Sequence, residues 1–462
     1  VAEKRAAVMK KLFFFCIIFF ITVSCFAQKQ EASFPLIPDF TKNDRILIFA
    51  PHPDDESIGT AGVIQKALDA GAGAWVCCYT NGDANQLAFI MYEKRFTFRK
   101  GEFLHMGSVR KKETLDALKF LGVGADRVFF LGYPDFGTMR IMLKHWGNTK
   151  PYKSLFTRVS KVPYKENLSW GSPYTGESIL RDVKAVFLDV KPTKIFVSHP
   201  ADTNGDHQSL YLFLRVALWD LEARLKAPQI YPYLVHCARW PEPRGFYPDM
   251  ALMPPEWFMN FQIHWMSLVL SAEEINKKNQ AFDFYKSQIP YNPRYLHTFA
   301  RSNELFGDYP VLKLKDSSPA RVDWQESFGP EAIIKEKDRD KDNVFLFYAK
   351  SEGKLYIKLS LSRKITKGVT SSIYLLPYSR NTDFADMPKI RLAITRTRLR
   401  AYDKKNRVFI SHAKMSIVDN DSILIEFPLA SLNFPDYILS RARIHTDAVA
   451  SDLSAWRVLE LE

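Results

Sequence analysis

The sequence predicts an α/β protein with a Rossmann-like, doubly wound, mostly parallel sheet and a C-terminal β-sandwich domain. Three observations support this prediction. Up to residue 308, short runs of branched apolar residues alternate with amphipathic segments of helical period. Polar clusters follow several of the apolar runs directly, which is typical of parallel strands that deliver side chains to one sheet edge. Beyond residue 343, short alternating and β-branched runs indicate antiparallel strands.

The composition is that of a globular protein with two or three domains, because 47% of the 462 residues are hydrophobic and 25% are charged. The net charge of +13 comes from Lys and Arg residues that are dispersed among acidic residues, so we predict no nucleic-acid partner. Outside the N-terminal segment, only Cys77, Cys78 and Cys237 remain, which excludes a disulfide framework.

The N-terminal segment has the pattern of an export signal. A basic stretch that begins at Met9 precedes an apolar run over residues 12–24, and the segment ends at Ala27, where we predict cleavage. We predict a signal peptide over residues 1–27 with Met9 as the true start, a mature chain without a transmembrane helix, and a periplasmic or extracellular location. The alternative is a lipoprotein acylated on Cys25, although the preceding residues match a lipobox poorly.

The first predicted strand, Arg45–Ala50, runs directly into a cluster that contains one imidazole and three carboxylates. The cluster consists of His52, Asp54, Asp55 and Glu56. These groups are the nitrogen and oxygen ligands that zinc and similar divalent ions take, and a catalytic site leaves one coordination position open. One carboxylate can bind the ion while its neighbour moves protons. We therefore predict a metal site at the carboxyl end of this strand.

Further strands and helices alternate along the chain. Their predicted ranges are 74–79, 128–131 and 194–198 for strands, and 57–70, 109–121, 177–190 and 208–225 for helices. Gly71 and Gly122 follow the first two helices as C-terminal caps. Alternation with short connections favours right-handed βαβ units and a parallel sheet. Residues 138–176 interrupt it, either as a substrate-binding insertion or as surface structure.

A second polar cluster follows the strand at 194–198. Residues 199–207 read HPADTNGDH and contain two histidines, His199 and His207. Because both clusters follow strands of one parallel sheet, the chain has a route to bring them together at the same edge.

The first cluster closely resembles the (P/A)HPDDE motif of the PIG-L/LmbE-like family of zinc-dependent N-acetylglucosaminyl deacetylases. The resemblance implies that His52 and Asp55 bind the metal and that Asp54 is the general base. The second cluster is similar to the family's HPDH or HxDH motif, which implies that His207 is the third metal ligand. The expected cofactor is one Zn²⁺ per chain, or another divalent metal.

The second cluster departs from the family pattern at one position. Many members have a histidine three residues before the last ligand, where it is thought to steady the developing oxyanion, whereas this chain has Asn204. We predict that His199 supplies the missing imidazole. Alternatively, Asn204 itself donates a hydrogen bond there, or His199 has a structural role.

Three further residues match positions that the family uses for substrate. Arg110, with Glu113, resembles the RxxE helix motif. Asp135 resembles the acid of a GxxD(x)G turn that meets sugar hydroxyls, and Asp83 lies where the family often places another acid. The resemblance implies that Arg110, Asp83 and Asp135 bind substrate; the alternatives are a surface or intrahelical ion pair and ordinary turn residues.

The resemblance covers residues 43–308, which we predict to be the deacetylase domain. Residues 309–342 have the composition of a linker, and residues 343–462 are the predicted β-sandwich. Such accessory domains bind sugars or cell wall, or form a lid or a dimer surface. The sequence does not choose between these roles.

The expected activity is removal of N-acetyl groups from N-acetylglucosamine-type sugars or glycoconjugates, with an N-acetylated sugar or glycan as substrate and acetate as product. Two alternatives remain open: a zinc hydrolase of another amide or ester on a glycan, and a non-catalytic glycan-binding protein.

Overall fold

The computed structural model describes residues 34–462 apart from 86–89, 93, 95–98, 259–261, 291, 318–322, 329–343, 362–363, 367 and 447–448. The predicted signal peptide, with Met9 and Cys25, lies outside the described residues. Across the described ranges, no helix combines the length and the apolar character that a membrane span requires.

The N-terminal half is built on a mixed seven-stranded sheet in the order β3-β2-β1-β4-β5-β7-β6. The first five strands in this order are parallel, whereas β7 runs antiparallel to both β5 and β6. The strands are β1 (Arg45–Ala50), β2 (Gly73–Thr80), β3 (Val128–Tyr133), β4 (Lys194–Ser198), β5 (Gln229–Tyr233), β6 (His264–Val269) and β7 (Asn303–Asp308). The predicted doubly wound, mostly parallel sheet is therefore confirmed.

The helices pack in two groups, which cover the sheet as a doubly wound fold requires. The first group is α1 (Asp55–Asp69), α2 (Lys100–Leu121) and α6 (Ala272–Phe282), and the second is α3 (Thr138–Lys144), α4 (Gly176–Val190) and α5 (Gly205–Asp220). Gly122 ends α2 with φ of 105°, the left-handed cap that its position in the sequence predicts.

The C-terminal half is a sandwich of two sheets around its own hydrophobic core. The first sheet contains β9 (Gln325–Phe328), β10 (Val344–Ser351), β11 (Lys354–Leu361), β15 (Lys414–Ile417) and β16 (Ser422–Pro428). The second contains β8 (Leu312–Leu314), β12 (Val369–Tyr378), β13 (Ile390–Thr395), β14 (Arg398–Tyr402), β17 (Tyr437–Thr446), β18 (Val449–Leu453) and β19 (Arg457–Leu461). All pairings are antiparallel except that of β8 with β19, and the predicted β-sandwich is confirmed.

Strand β12 in the second sheet of the sandwich is buried on both faces over its C-terminal part. Ile373 and Leu375 of β12 belong to the sandwich core, whereas Leu376 and Tyr378 of the same strand pack into the core of the α/β half. Trp456, just before β19, packs into the α/β core as well. The two halves of the chain therefore share a buried interface.

The range predicted as a linker, 309–342, contains two short strands as well as connecting segments. Leu312–Leu314 pairs with β19 and Gln325–Phe328 pairs with β10, so both sheets of the sandwich begin before residue 343. The partner of Leu312–Leu314 lies more than a hundred residues away and leaves no local signal, and the charged, turn-rich composition around both short strands hides them. The other domain boundaries stay predictions.

Candidate metal centre

Three predicted ligands converge at the carboxyl edge of the parallel sheet. Asp55 Oδ2 lies 3.2 Å from His52 Nδ1 and 3.1 Å from His207 Nε2, and the two ring nitrogens are 3.2 Å apart. Ligand atoms bound to zinc at ~2.0–2.2 Å in a tetrahedron lie about 3.3–3.5 Å from one another. The triangle of one oxygen and two nitrogens therefore fits a small divalent cation.

The fold explains why these residues meet. Strands β1 and β4 are parallel neighbours, with Ile46 opposite Lys194, so their carboxyl ends reach the same sheet edge. His52 follows β1, Asp55 begins α1, and His207 lies in the first turn of α5. The prediction that two distant segments meet at one edge agrees with this arrangement.

Buried carboxylates lie beside the other nitrogen of each histidine. His52 Nε2 is 3.1 Å from Asp135 Oδ1 and 3.3 Å from Asp206 Oδ2. His207 Nδ1 is 3.2 Å from Asp202 Oδ2. A carboxylate at this position fixes the tautomer and the orientation of a metal-binding histidine.

The site has an excess of buried negative charge. Burial lowers the pKa of His207, but Asp202 and Asp55 outweigh this effect and raise the pKa to about 9. Burial would raise the pKa of Asp55, yet His207 and His52 hold it well below its usual value. A divalent cation would balance this excess, which agrees with the fit of the ligand triangle.

Asp54, the predicted general base, lies beside the triangle and lines a cavity. Its φ of 110° is rare for a residue with a side chain, and such strain is common at functional sites. Arg110 Nη2 donates to Asp54 Oδ2 over 3.2 Å. Burial raises the pKa of Asp54 to about 8 against the opposing effect of Arg110, which suits a group that exchanges protons near neutral pH.

The cavity has a volume of about 680 Å³, within the range of small-molecule sites. Most of the residues that line it have polar side chains, and the Phe136 ring at its wall is 60% exposed. Apart from the histidine and aspartate side chains, the polar lining residues are Asn85, Arg110, Thr203, Asn204, Gln288, Asn292 and Tyr295.

His236 is a site residue that sequence reasoning missed. It follows β5, lines the cavity, and packs edge-on against His207 with ring centroids 4.7 Å apart. One His236 ring nitrogen lies within 4.8 Å of the ligand atoms of His52, Asp55 and His207. Its position after a sheet strand was the available signal. Asp206 and Asp202 were also missed, because nothing local shows which histidine each contacts.

The structure does not bring His199 to the cavity, contrary to the predicted catalytic role. Its ring is fully buried, stacks on Trp265 at 5.7 Å, and accepts the Ala201 N–H at Nδ1 over 3.1 Å. Burial lowers its pKa to about 3. Asn204 lines the cavity, but its side chain accepts the Asp206 N–H as the N-cap of α5. His236 is therefore the additional imidazole at the site.

The three predicted substrate residues have different positions. Asp135 lines the cavity. Arg110 also lines it, but its Nη1 donates to the Gly82 carbonyl and its Nη2 to that of Pro53 as well as to Asp54. Asp83 is buried behind the lining and accepts the Tyr164 hydroxyl, so the structure does not place it where substrate would contact it.

Comparison with known families identifies the domain that holds this site. A family model described as PIG-L, GlcNAc-PI de-N-acetylase, matches residues 47–218, a range that starts in β1, includes both strand-end clusters and ends in α5. The chain carries a PIG-L family domain. This result confirms the resemblance that the two motifs predict. No curated protein matches the chain.

Three of the solved structures that match this chain each span slightly more than half of it. The N,N'-diacetylchitobiose deacetylase from Pyrococcus horikoshii is 18% identical, with a TM-score of 0.36, over 57% of this chain and 84% of that one. The A40926 pseudoaglycone deacetylase Dbv21 is 14% identical, with a TM-score of 0.36, over 57% and 96%. The 4-carboxy-2-hydroxymuconate hydratase GalB from Pseudomonas putida is 15% identical, with a TM-score of 0.37, over 58% and 97%. Similarities of this size do not identify an activity.

Proposed function

We propose that the protein is a metal-dependent N-deacetylase that hydrolyses the acetamide of N-acetylglucosamine-type sugars and releases acetate and a free amino sugar. The observation that carries the proposal is the triangle of His52 Nδ1, Asp55 Oδ2 and His207 Nε2 beside the cavity-lining Asp54, inside a PIG-L family domain. Two imidazoles and one carboxylate with an open side are a known ligand set of hydrolytic zinc sites.

The proposed cation is Zn²⁺, with His52, Asp55 and His207 as its ligands. Such an ion supplies Lewis acidity, which polarises a carbonyl group and lowers the pKa of water. His236 lies on the cavity side of the ligand set, where it can meet the carbonyl oxygen of a bound acetamide or complete the ligand set.

Asp54 is the proposed proton carrier. In this mechanism Asp54 accepts a proton from the attacking water while a C–O bond forms, and returns it to the sugar nitrogen as the C–N bond breaks. Arg110 holds the carboxylate in place through the contact at Oδ2. A mechanism of this kind needs a base whose pKa lies near the working pH, which the burial of Asp54 supports.

Phe136 and Asp135 are the proposed contacts of the sugar ring. The Phe136 ring lies 6.5 Å from the His52 ring and is open to the cavity, so a pyranose face can stack on it. The Phe136 N–H donates to Asp206 Oδ2 over 2.6 Å, which fixes the residue at a φ of 55°. The amide side chains of the lining can then bond to sugar hydroxyls.

Acetate release from a panel of substrates tests the proposal. The panel contains N-acetylglucosamine, its β-linked oligomers, other N-acetylated glycans and O-acetylated glycans, each with and without a chelator. We expect chelator-sensitive release from N-acetylated sugars. Release from the O-acetyl substrates alone would assign the same metal site to an esterase, and binding without release would indicate a glycan-binding protein. Metal analysis of the purified protein measures the bound ion directly.

Export is part of the proposal as well. A signal peptide over residues 1–27 would send the deacetylase to glycans outside the cytoplasm. Mass spectrometry of the mature N-terminus is the measurement, with an unmodified Gln28 expected. A lipid-modified Cys25 would indicate membrane anchoring instead.

A further inference from the structure

The C-terminal sandwich reaches the back of the candidate metal centre through one hydrogen-bonded path. Arg441 of β17 is buried, and its Nη1 donates to Gln208 Oε1 over 2.5 Å. Gln208 lies in the first turn of α5, next to His207, and its Nε2 donates to the main-chain carbonyl of Asp202 over 2.5 Å. The path therefore leads from the second sheet of the sandwich to the loop that carries Asp202 and His207.

Asp202 is the group through which a shift of this loop would reach the metal ligands. Its Oδ2 lies 3.2 Å from His207 Nδ1 and accepts the N–H groups of Val235 at 3.1 Å and His236 at 2.8 Å. Its Oδ1 accepts the Asn204 N–H. One buried carboxylate thus fixes the His207 ring and the segment that presents His236. A partner of this kind orients the ligand and tunes metal affinity.

Arg441 is a buried cation whose guanidinium contacts aromatic rings. Within the described part of the chain, no carboxylate forms an ion pair with it, and its guanidinium faces the rings of Trp456 at 4.8 Å and Tyr374 at 5.4 Å. A buried cation without a carboxylate partner costs free energy that an apolar residue of similar size avoids. An apolar residue at position 441 could not form the hydrogen bond to Gln208.

A second contact connects the same two regions. The Trp456 N–H donates to the carbonyl of Pro200 over 3.3 Å, and Trp456 is also one of the rings that Arg441 faces. Both ends of the loop between β4 and α5 therefore contact the sandwich. The PIG-L family match ends at residue 218, so this support comes from outside the matched range.

We propose that Arg441 is a positioning residue of the metal centre, which acts through Gln208 to hold the Asp202 loop so that His207 Nε2 points at the cation. The sandwich then has a role within the active site itself, in addition to any binding function. This inference rests on the metal centre of the proposed function.

Arg380 provides a matched control. It also belongs to the sandwich and also contacts the α5 region, but at the opposite end of that helix, where it forms an ion pair with Glu222. Its side chain is partly exposed. Arg380→Met thus removes an arginine contact between the same two halves of the chain without touching the path to Asp202.

The experiment measures the Zn²⁺ affinity of the metal-free full chain by competition with a chelating dye, together with its thermal unfolding. Arg441→Met should weaken Zn²⁺ binding by about tenfold, the lower end of the effect of removing an outer partner of a metal ligand. Arg380→Met should change the Zn²⁺ affinity by less than about twofold, because its partly exposed ion pair contributes little energy and lies away from the path to Asp202. Gln208→Met should reproduce the loss, and the double variant with Arg441→Met should lose no more than Gln208→Met alone. Arg441→Lys, which keeps a donor, should recover part of the affinity.

Each result has a definite meaning. A wild-type chain that binds no divalent ion would refute the proposed function and this inference with it. A wild-type chain that binds Zn²⁺, with equal affinities for Arg441→Met and Arg380→Met, would refute the inference alone. If Arg441→Met does not fold, Gln208→Met decides the question: reduced affinity supports the path, and unchanged affinity overturns it.

Discussion

His199 directly follows β4 and His207 lies in the first turn of α5; both are fully buried, and their surroundings are opposite. Carboxylates surround His207, and its pKa rises to about 9 despite burial. Aromatic rings of Phe258, Trp265 and Tyr309 surround His199, and burial lowers its pKa to about 3. The first environment favours a cation, whereas the second favours a neutral ring.

Membership of a polar sequence cluster therefore does not decide whether a histidine can bind a metal. Both residues follow the same strand within one short stretch, yet the main chain turns between them. His199 remains under the sheet edge against β6 and the segment after β7, while α5 places His207 beside Asp55 and His52. The available partners then decide which ring serves as a ligand.

The same substitution in both histidines tests the comparison most strongly. His207→Asn should lower Zn²⁺ affinity by more than about 100-fold and abolish acetate release, because the change removes a ligand and not an outer partner. His199→Asn, which keeps an acceptor for the Ala201 N–H, should retain the metal. Metal content after dialysis is the measurement. Equal metal loss in both variants would contradict the contrast between the two environments.

A second test separates the roles of two neighbouring aspartates, Asp54 and Asp55. Asp54→Asn should lower kcat by at least about 100-fold, the scale of a missing general base, while metal content stays unchanged. Substitution of Asp55 by Asn, next to it in sequence, should instead deplete the metal, because Asp55 Oδ2 is part of the ligand triangle. Normal turnover by Asp54→Asn would show that another group moves the proton.

A third test concerns Phe136, an exposed aromatic ring at the wall of the cavity. Phe136→Ala should raise KM for an N-acetylated sugar about fivefold with little change in kcat, because an exposed stacking surface is lost while the reacting groups remain. Phe434→Ala is the control, since Phe434 is also exposed and also has positive φ, but lies in the sandwich. Equal changes in KM for the two variants would exclude a specific role for Phe136.

The last test concerns acid stability. The folded-state pKa of His199 is about 3, below the unfolded value near 6.5, so only the unfolded chain binds this proton between these pH values. Stability from the neutral ring is present above pH 6.5 and is lost as the pH falls toward 3, by up to about 1.4 kcal/mol per pH unit. His199→Asn should flatten this part of the unfolding curve, measured by urea denaturation at several pH values. An unchanged slope would show that His199 does not titrate on unfolding.

Much of the fold could be predicted because its signals are local. The strand Arg45–Ala50, the helix that Gly122 ends and the alternation in β11 all depend on residues within one or two turns of the chain. The antiparallel strands β6 and β7 and the short strand β8 were not predicted, since their pairing partners lie far away in sequence. The burial of β12 against the core of the α/β half was not predicted for the same reason, because its partners there are distant in sequence.

For the candidate site, local sequence patterns predicted which residue types meet: His52, Asp54, Asp55 and His207 occur in motifs at strand ends, and parallel strands bring their carboxyl ends together. The tertiary structure sets which further groups join them. It placed His236 at the cavity, withdrew His199 beneath aromatic rings, and brought Arg441 behind the Asp202 loop. The physical reason is that ligand type and strand position are local properties, whereas burial and hydrogen-bond partners depend on how distant segments pack.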